Sequence, residues 1–151
     1  MDDVAEEAGV ARATVYRYFP NRQHLLAELS RFAAEDAHSR LVAARIDEVP
    51  IEEGVSRAVR AFVDVGDSFP VLLAERSQFG DFDRLVALPL RQLLERGRSS
   101  GSIRDDIPAA WLAESLLGTI MNVMRYGRLG RDDTVAAVTS VFLEGARLRA
   151  S

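Results

Sequence analysis

Cysteine and lysine are both absent from this chain of 151 residues. Without cysteine the chain has no disulfide, no thiolate nucleophile and no cysteine-ligated metal, which fits a cytoplasmic location. Only five prolines occur, and strand-like alternation of apolar and polar residues is scarce, so an all-α fold is predicted. No apolar run approaches the roughly 20 residues that a membrane span needs. The first seven residues carry four acids and no base, unlike a signal peptide.

Basic residues are distributed unevenly along a chain whose net charge is −4. The stretch from Ala8 to Ala27 contains no acid, whereas Arg12, Arg17 and Arg22 all lie within it. A local basic stretch on an otherwise acidic protein is typical of an element that contacts nucleic acid. On charge alone, a solvated surface segment fits this stretch equally well.

Apolar residues at helical spacing predict eight helices. They are expected at about 2–8, 12–19, 22–46, 50–69, 71–79, 82–96, 108–126 and 132–148. Pro89 lies inside the sixth of these, where its missing N–H predicts a kink or break. The third should bury an apolar stripe and place His38 on its solvated side. The stripe comprises Leu25, Leu26, Leu29, Phe32, Ala33 and Ala37.

The first two predicted helices have the pattern of a helix-turn-helix. Ala5 is small where the two helices would meet, Gly9 permits the tight turn, and Val4, Val10 and Val15 would hold the pair together. The exposed side of the second helix can then enter a major groove, where arginine reaches O6 and N7 of guanine. A glycine-turn helix pair alone is a weak signal, because many non-binding pairs look the same.

Residues 1–26 as a whole closely resemble the DNA-binding end of the tetracycline-repressor (TetR) family. The residues that carry the resemblance are Val4-Ala5, Ala8-Gly9-Val10, Val15-Tyr16, Phe19, Arg22 and Leu25-Leu26. Residues 101–108 are also similar to the linker that precedes the dimerisation helices of this family. Two features depart from the pattern. Ala11 stands where the family usually has a serine that caps the recognition helix, and the family places a further helix before position 1.

The resemblance implies a role for individual side chains of the second helix and its surroundings. Base-facing residues would be Arg12, Ala13 and Arg17, and phosphate-contacting residues would be Thr14, Tyr16, Tyr18 and Arg22. It also implies a partial helix-turn-helix DNA-binding domain over residues 1–28, without the first helix. Residues 29–151 would then form a helical effector-binding and dimerisation domain.

Members of the family are usually homodimeric repressors on palindromic operator DNA, released by a small-molecule effector. The chain is therefore expected to bind operator DNA as a homodimer, with an effector favouring a spacing of the two DNA-reading ends that no longer fits successive major grooves. The alternative is a helical ligand-binding or dimerising module that does not bind DNA, because its DNA-binding end lacks the first helix.

The predicted helix at 108–126 is apolar nearly all round, which indicates burial on two sides. One side would face the core of the chain and the other a partner, with the last helix beside it in a four-helix interface. The predicted interface residues are Leu112, Leu116, Ile120, Val123, Val138, Val141 and Phe142. The alternative is that a single chain buries both sides.

A largely apolar effector pocket is expected in the body, and its candidate lining residues are Phe62, Phe79, Phe82, Trp111 and Asn122. Residues of this kind more often belong to an ordinary core. His24 and His38 are the only histidines and lie too far apart on one helix to share a metal. No catalytic residues, metal or cofactor are predicted, and an enzyme is disfavoured because no titratable side chains converge.

Overall fold

A computed structural model describes residues 1–71, 81–127 and 129–147 of the chain. These ranges contain seven α-helices and one π-helical turn, and no β-strand beyond an isolated bridge, so the all-α prediction is confirmed. The helices are α1 (Asp2–Glu7), α2 (Arg12–Tyr18), α3 (Arg22–Ala43), α4 (Ile51–Ser68), α5 (Leu88–Ser99), α6 (Ala109–Tyr126) and α7 (Arg131–Ala146). The π-helical turn spans Asp83–Ala87 and leads directly into α5. The helix predicted at 71–79 lies outside the described residues.

Glycine and proline set the ends of several helices as their chemistry requires. Gly9 has a φ of 64°, the left-handed conformation that closes the turn between α1 and α2. Pro50 and Pro108 immediately precede α4 and α6, where a missing N–H costs no helical hydrogen bond. The irregularity expected at Pro89 is present, and it takes the form of the π-helical turn just before α5.

The helices α3 to α7 and the π-helical turn share one continuous core that runs from Ala34 to Ala146. Helix α4 lies at its centre and packs against α3, α5, α6 and α7. Val55, Ala58 and Val59 of α4 are consequently without any solvent exposure. None of the helices in the described ranges combines the length and the apolarity that crossing a bilayer would require.

The buried face of α3 differs from the predicted stripe. Phe32 is 51% exposed, and the fully buried apolar positions of α3 are Ala33, Ala34, Ala37 and Leu41. Phe32 lies on the side of α3 opposite Ala34 and Ala37, because residues two or five apart on a helix point in nearly opposite directions. The predicted stripe was therefore right for its alanines and wrong for Phe32.

Helices α1 and α2, here called the head, pack against each other apart from that core. Among residues 1–29, Ala5 and Val15 alone are buried, and the continuous core begins only at Ala34. The two parts are joined by α3, whose 22 residues extend over about 33 Å. Movement of α3 relative to the core therefore moves the head.

The two ends of α3 are held differently. At its N-terminus the Asn21 Oδ1 accepts a hydrogen bond of 3.0 Å from the His24 N–H, an ordinary N-cap. At its C-terminus Arg57 of α4 donates to the Ala44 carbonyl at 2.6 Å, and Arg96 of α5 donates to the Ile46 carbonyl at 2.8 Å. The C-terminal end of α3 is thus fixed to the core by two guanidinium groups.

Candidate nucleic-acid interface and ligand cavity

Helix α2 carries the residues expected to face bases. Arg12, Ala13 and Arg17 are all exposed, while Val15 between them is buried against α1. Ala11 occupies the N-cap position of α2, and no side chain caps that end, as the substitution of the usual serine predicted. The geometry leaves the arginine-bearing side of α2 open to a partner.

Arg12 is engaged by two neighbours within the head. Its Nε lies 2.8 Å from the Asp2 Oδ1 of α1, and its guanidinium lies over the Tyr16 ring at 5.5 Å from the ring centre. A hydrogen bond with Tyr16, and then the negative charge of Asp2, raise the pKa of Arg12 above its usual range. Arg12 is therefore charged at every relevant pH, and part of its charge is neutralised by Asp2.

Three of the predicted phosphate-contacting residues lie on α2 itself, and the fourth, Arg22, begins α3. Tyr18 is 66% exposed, Tyr16 and Arg22 are exposed, and Thr14 is half-buried. Arg17 lies over the Tyr18 ring at 5.0 Å from its centre, and its Nη2 donates to the Tyr18 hydroxyl at 3.4 Å. Hydroxyl and guanidinium groups of this kind are the usual donors to phosphate oxygens.

A cavity of about 110 Å³ lies in the body between α3, α4, α6 and the π-helical turn. Phe62 and Phe82, both predicted to line a pocket, lie on its wall with Phe69. Every lining residue within the described ranges is apolar or glycine. The remaining lining residues are Ala33, Ala34, Ala37, Val65, Gly66, Val86, Leu117, Ile120 and Met121.

The other pocket candidates do not come together there. Trp111 is 68% exposed and Asn122 is exposed, and neither lines the cavity, because both point away from the core on the outer face of α6. Phe79 lies outside the described residues. Ala33 and Ala37 were predicted to be buried but not to line a pocket, and Ala34 was not predicted; the three alanines form a wall because their side chains are small.

His38 occupies a different environment from the solvated one predicted. It is half-buried, and its Nδ1 lies 3.0 Å from the backbone carbonyl of Leu85 in the π-helical turn. A signal was present in the sequence: Pro89, four residues after Leu85, has no N–H to donate to that carbonyl. The sequence did not reveal which residue would take the place of this donor.

The predicted dimer interface is corrected by the burial within a single chain. Five of its seven residues are already covered by the chain's own core and offer no surface to a partner: Leu112, Leu116, Ile120, Val138 and Phe142. Val123 is half-buried and Val141 is 68% exposed. The apolar residues of α6 pack on α5, α7 and α4, and those of α7 pack on α4 and α6, and these contacts account for the apolar pattern of the two helices.

The outer faces of α6 and α7 remain uncovered. On α6 the exposed residues recur at helical spacing, and on α7 Val141 and Gly145 are exposed one turn apart. Gly118 of α6 and Gly145 have open space where a side chain would be, so another backbone can approach closely. The exposed residues of α6 on this face are Trp111, Glu114, Ser115, Gly118, Asn122 and Tyr126.

Metal-binding chemistry finds no support in the part of the chain that the structure describes. No group of three or more His, Asp or Glu side chains in 1–71, 81–127 and 129–147 is arranged to hold an ion.

Comparison with known proteins relates both parts of the chain to bacterial regulators. Residues 1–29 match the family model described as bacterial regulatory proteins, tetR family. The HTH-type transcriptional repressor LfrR of Mycolicibacterium smegmatis is 33% identical over 113 residues, which cover 74% of this chain and 60% of LfrR. The matched part of the chain therefore spans about 60% of the length of that relative.

Solved structures share the fold at lower sequence identity. The TetR-like regulator LfrR from Mycobacterium smegmatis in complex with proflavine has a TM-score of 0.74 and 21% identity, covering 99% of this chain and 85% of that chain. A tetR-family regulatory protein from Rhodococcus RHA1 has a TM-score of 0.78 and 14% identity, covering 99% and 86%. Residues 1–29 thus match the tetR family of bacterial regulatory proteins, the chain is similar to the repressor LfrR over 113 residues, and the solved structures share its all-α fold.

Proposed function

We propose that this protein is a transcriptional repressor that binds operator DNA as a homodimer and is released by a largely apolar small molecule. The observation that carries the proposal is the exposed arginine-bearing side of α2 within the segment that matches the tetR family. The similarity to the repressor LfrR supports the same function.

DNA recognition is assigned to the head. Helix α2 enters the major groove, where Arg17 and Arg12 reach guanine edges and Ala13 allows close approach of the backbone. Tyr18 and Arg22 bind phosphates and set the position of the head without reading sequence. The basic stretch makes this binding weaken steeply as the salt concentration rises.

Dimerisation is assigned to the outer faces of α6 and α7. Trp111 and Val141 are large apolar side chains, each 68% exposed, on two helices whose inner faces are already packed. Burial of such side chains stabilises association, and the open positions at Gly118 and Gly145 permit close helix approach. Two copies of this helix pair form the four-helix interface, which places two heads on successive major grooves about 34 Å apart.

Effector binding is assigned to the cavity between α3 and α6. Its lining of aromatic and aliphatic residues favours an uncharged or weakly polar ring compound, because a bare charge placed there would lose its hydration without a partner. The relative LfrR is solved in complex with proflavine, which supports binding of a small molecule by a body of this fold. The wall formed by Ala33, Ala34 and Ala37 belongs to α3, so a ligand that displaces this wall also displaces the head.

The experiment that tests the proposal is a gel-shift titration of the protein with the promoter DNA of its own gene, with and without excess unrelated DNA. A specific complex that resists the competitor and disappears with an apolar effector is expected. Sequence-specific repression is contradicted if unrelated competitor DNA abolishes binding to the promoter as readily as it abolishes binding to a non-promoter fragment.

A second candidate is a ligand-binding helical module that does not bind DNA. It is favoured by the sparse packing of the head, where Ala5 and Val15 are the buried residues and Val4 and Val10 are 37% and 44% exposed. A head held by so few contacts gains little free energy from burial. Binding of an apolar ligand with no promoter-specific complex at any salt concentration would favour this second function.

A further inference from the structure

We propose that the hydrogen bond between His38 and Leu85 holds the cavity in a contracted, DNA-competent form and weakens when an effector enters. The inference deepens the regulation described above, and its DNA arm rests on the proposed function. His38 acts here as a positioning residue and does not touch the effector.

The bond lies where Pro89 interrupts the regular α-helical pattern. The Leu85 carbonyl can only accept a hydrogen bond, so the His38 Nδ1, 3.0 Å away, carries the proton. In an α-helix the donor to Leu85 would be the N–H of residue 89, but Pro89 has none. The backbone here bonds in π-helical register instead, with the Leu88 N–H donating to the Asp83 carbonyl, and a side chain 47 residues earlier in the chain donates to the Leu85 carbonyl.

The same bond ties two walls of the cavity together. On α3, the cavity is lined by Ala34, one turn before His38, and by Ala37, directly before it. On the opposite segment, Val86 lines it directly after Leu85. Separating α3 from the π-helical turn enlarges the cavity and lengthens this bond at the same time.

The size of the cavity makes such a separation necessary. Its volume of about 110 Å³ is below the roughly 300–1,000 Å³ of pockets that hold drug-sized ligands. An effector of that size is enclosed between these walls only when they move apart. Because the C-terminal end of α3 is fixed by Arg57 and Arg96, that movement swings the N-terminal end of α3, which carries the head.

The movement of α3 can be measured without DNA or effector. The chain has no cysteine, so Gln23→Cys on α3 and Ser99→Cys on α5, both at exposed positions, give two specific sites for spin labels. The labelled chain, diluted with unlabelled chain, is examined by pulsed electron paramagnetic resonance. His38→Leu is expected to shift or broaden the distance distribution, and His38→Asn, which places an amide donor near the Nδ1 position, is expected to restore it.

Two comparisons make this measurement decisive. Ser39→Ala removes a hydrogen bond that stays within α3, from Ser39 Oγ to the Glu35 carbonyl at 2.9 Å, and should leave the distribution unchanged. Pro89→Ala restores an N–H that can donate to Leu85, so His38→Leu should have little effect in that background and should fold there even if it fails alone. A distribution for His38→Leu identical to that of the parent would overturn the proposal.

Ligand and DNA affinities provide the second readout. In His38→Leu the affinity for 1-methylnaphthalene is expected to rise about three- to tenfold, and the affinity for promoter DNA to fall by a similar factor, as the loss of one hydrogen bond allows. Ordinary structural damage lowers both affinities, and that result would contradict the positioning role. A parent chain that forms no promoter complex contradicts the proposed function alone, since the label distances still decide the role of His38.

Discussion

The guanidinium of Arg12, on the helix assigned to DNA reading, lies 2.8 Å from the carboxylate of Asp2 on the preceding helix. An acidic side chain of the head therefore competes with DNA for one of the head's own arginines. Both side chains are more than half exposed, so the pair contributes little to stability but lowers the local positive charge.

Asp2→Asn is expected to tighten promoter binding a few-fold at low salt, because Arg12 is then released and one repulsive charge near the phosphates is removed. Fluorescence anisotropy of labelled promoter DNA over a series of salt concentrations measures the effect. Asp3→Asn makes the same charge change one residue away and serves as the matched control. An equal gain in promoter affinity from the two variants would indicate a general charge effect that does not depend on the ion pair between Arg12 and Asp2.

Substitution of Arg17 and of Arg22 should weaken DNA binding in different ways if Arg17 contacts bases and Arg22 binds phosphate. Arg17→Ala is expected to cost about 1–3 kcal/mol of specific binding and to relax the sequence preference. Arg22→Ala is expected to weaken all DNA sequences alike and to reduce the salt slope by about one. Competition titrations with promoter and unrelated DNA separate the two results, and identical behaviour of both variants would reject the assignment of Arg17 to bases.

The order and type of the described helices could be predicted from the sequence because local chemistry decides them. Gly9 supplies a positive φ, Pro50 and Pro108 precede helices, and apolar residues recur at helical spacing between such positions. Proline at position 89 also gave a correct warning of irregular backbone. These signals act over a few residues and need no knowledge of what lies across the core.

The partners of the side chains could not be predicted in the same way. Apolar periodicity says that Leu116 is covered, but it does not say whether the same chain or a second copy covers it, and the structure covers it entirely within one chain. His38 looked solvated beside Glu35 and Asp36, yet its partner, the Leu85 carbonyl, lies on a segment far along the chain. Long-range contacts of this kind leave no local pattern.

Filling the cavity should separate ligand binding from DNA binding. Ala37 is 3% exposed and lines the cavity, so Ala37→Leu places a larger side chain inside it. We expect a loss of affinity for 1-methylnaphthalene of at least tenfold and little change in the free energy of unfolding, because the leucine fills space that is already empty. Calorimetric titration and urea unfolding measure the two effects.

Promoter binding by Ala37→Leu should persist at a temperature where the variant is folded, and an apolar effector should no longer release it. Ala43→Leu, at an exposed position on the same helix away from the cavity, is the matched control and should behave as the parent. Undiminished affinity for the hydrocarbon in Ala37→Leu would move the effector site elsewhere.

The proposed interface on α6 and α7 makes a prediction that distinguishes it from the interface expected from apolar pattern alone. Trp111→Glu and Val141→Glu place a charge on exposed positions, so each is expected to leave a folded chain that sediments as a 16.7 kDa monomer. Leu116→Glu places the charge at a position without solvent exposure and is expected to unfold the chain instead. Val42→Glu, at a 62% exposed position on α3, is the matched control and should sediment as the parent does. Two results would show that this face does not join two copies of the chain. One is a parent chain that is itself monomeric at micromolar concentration, and the other is that the Trp111→Glu and Val141→Glu variants both remain dimeric.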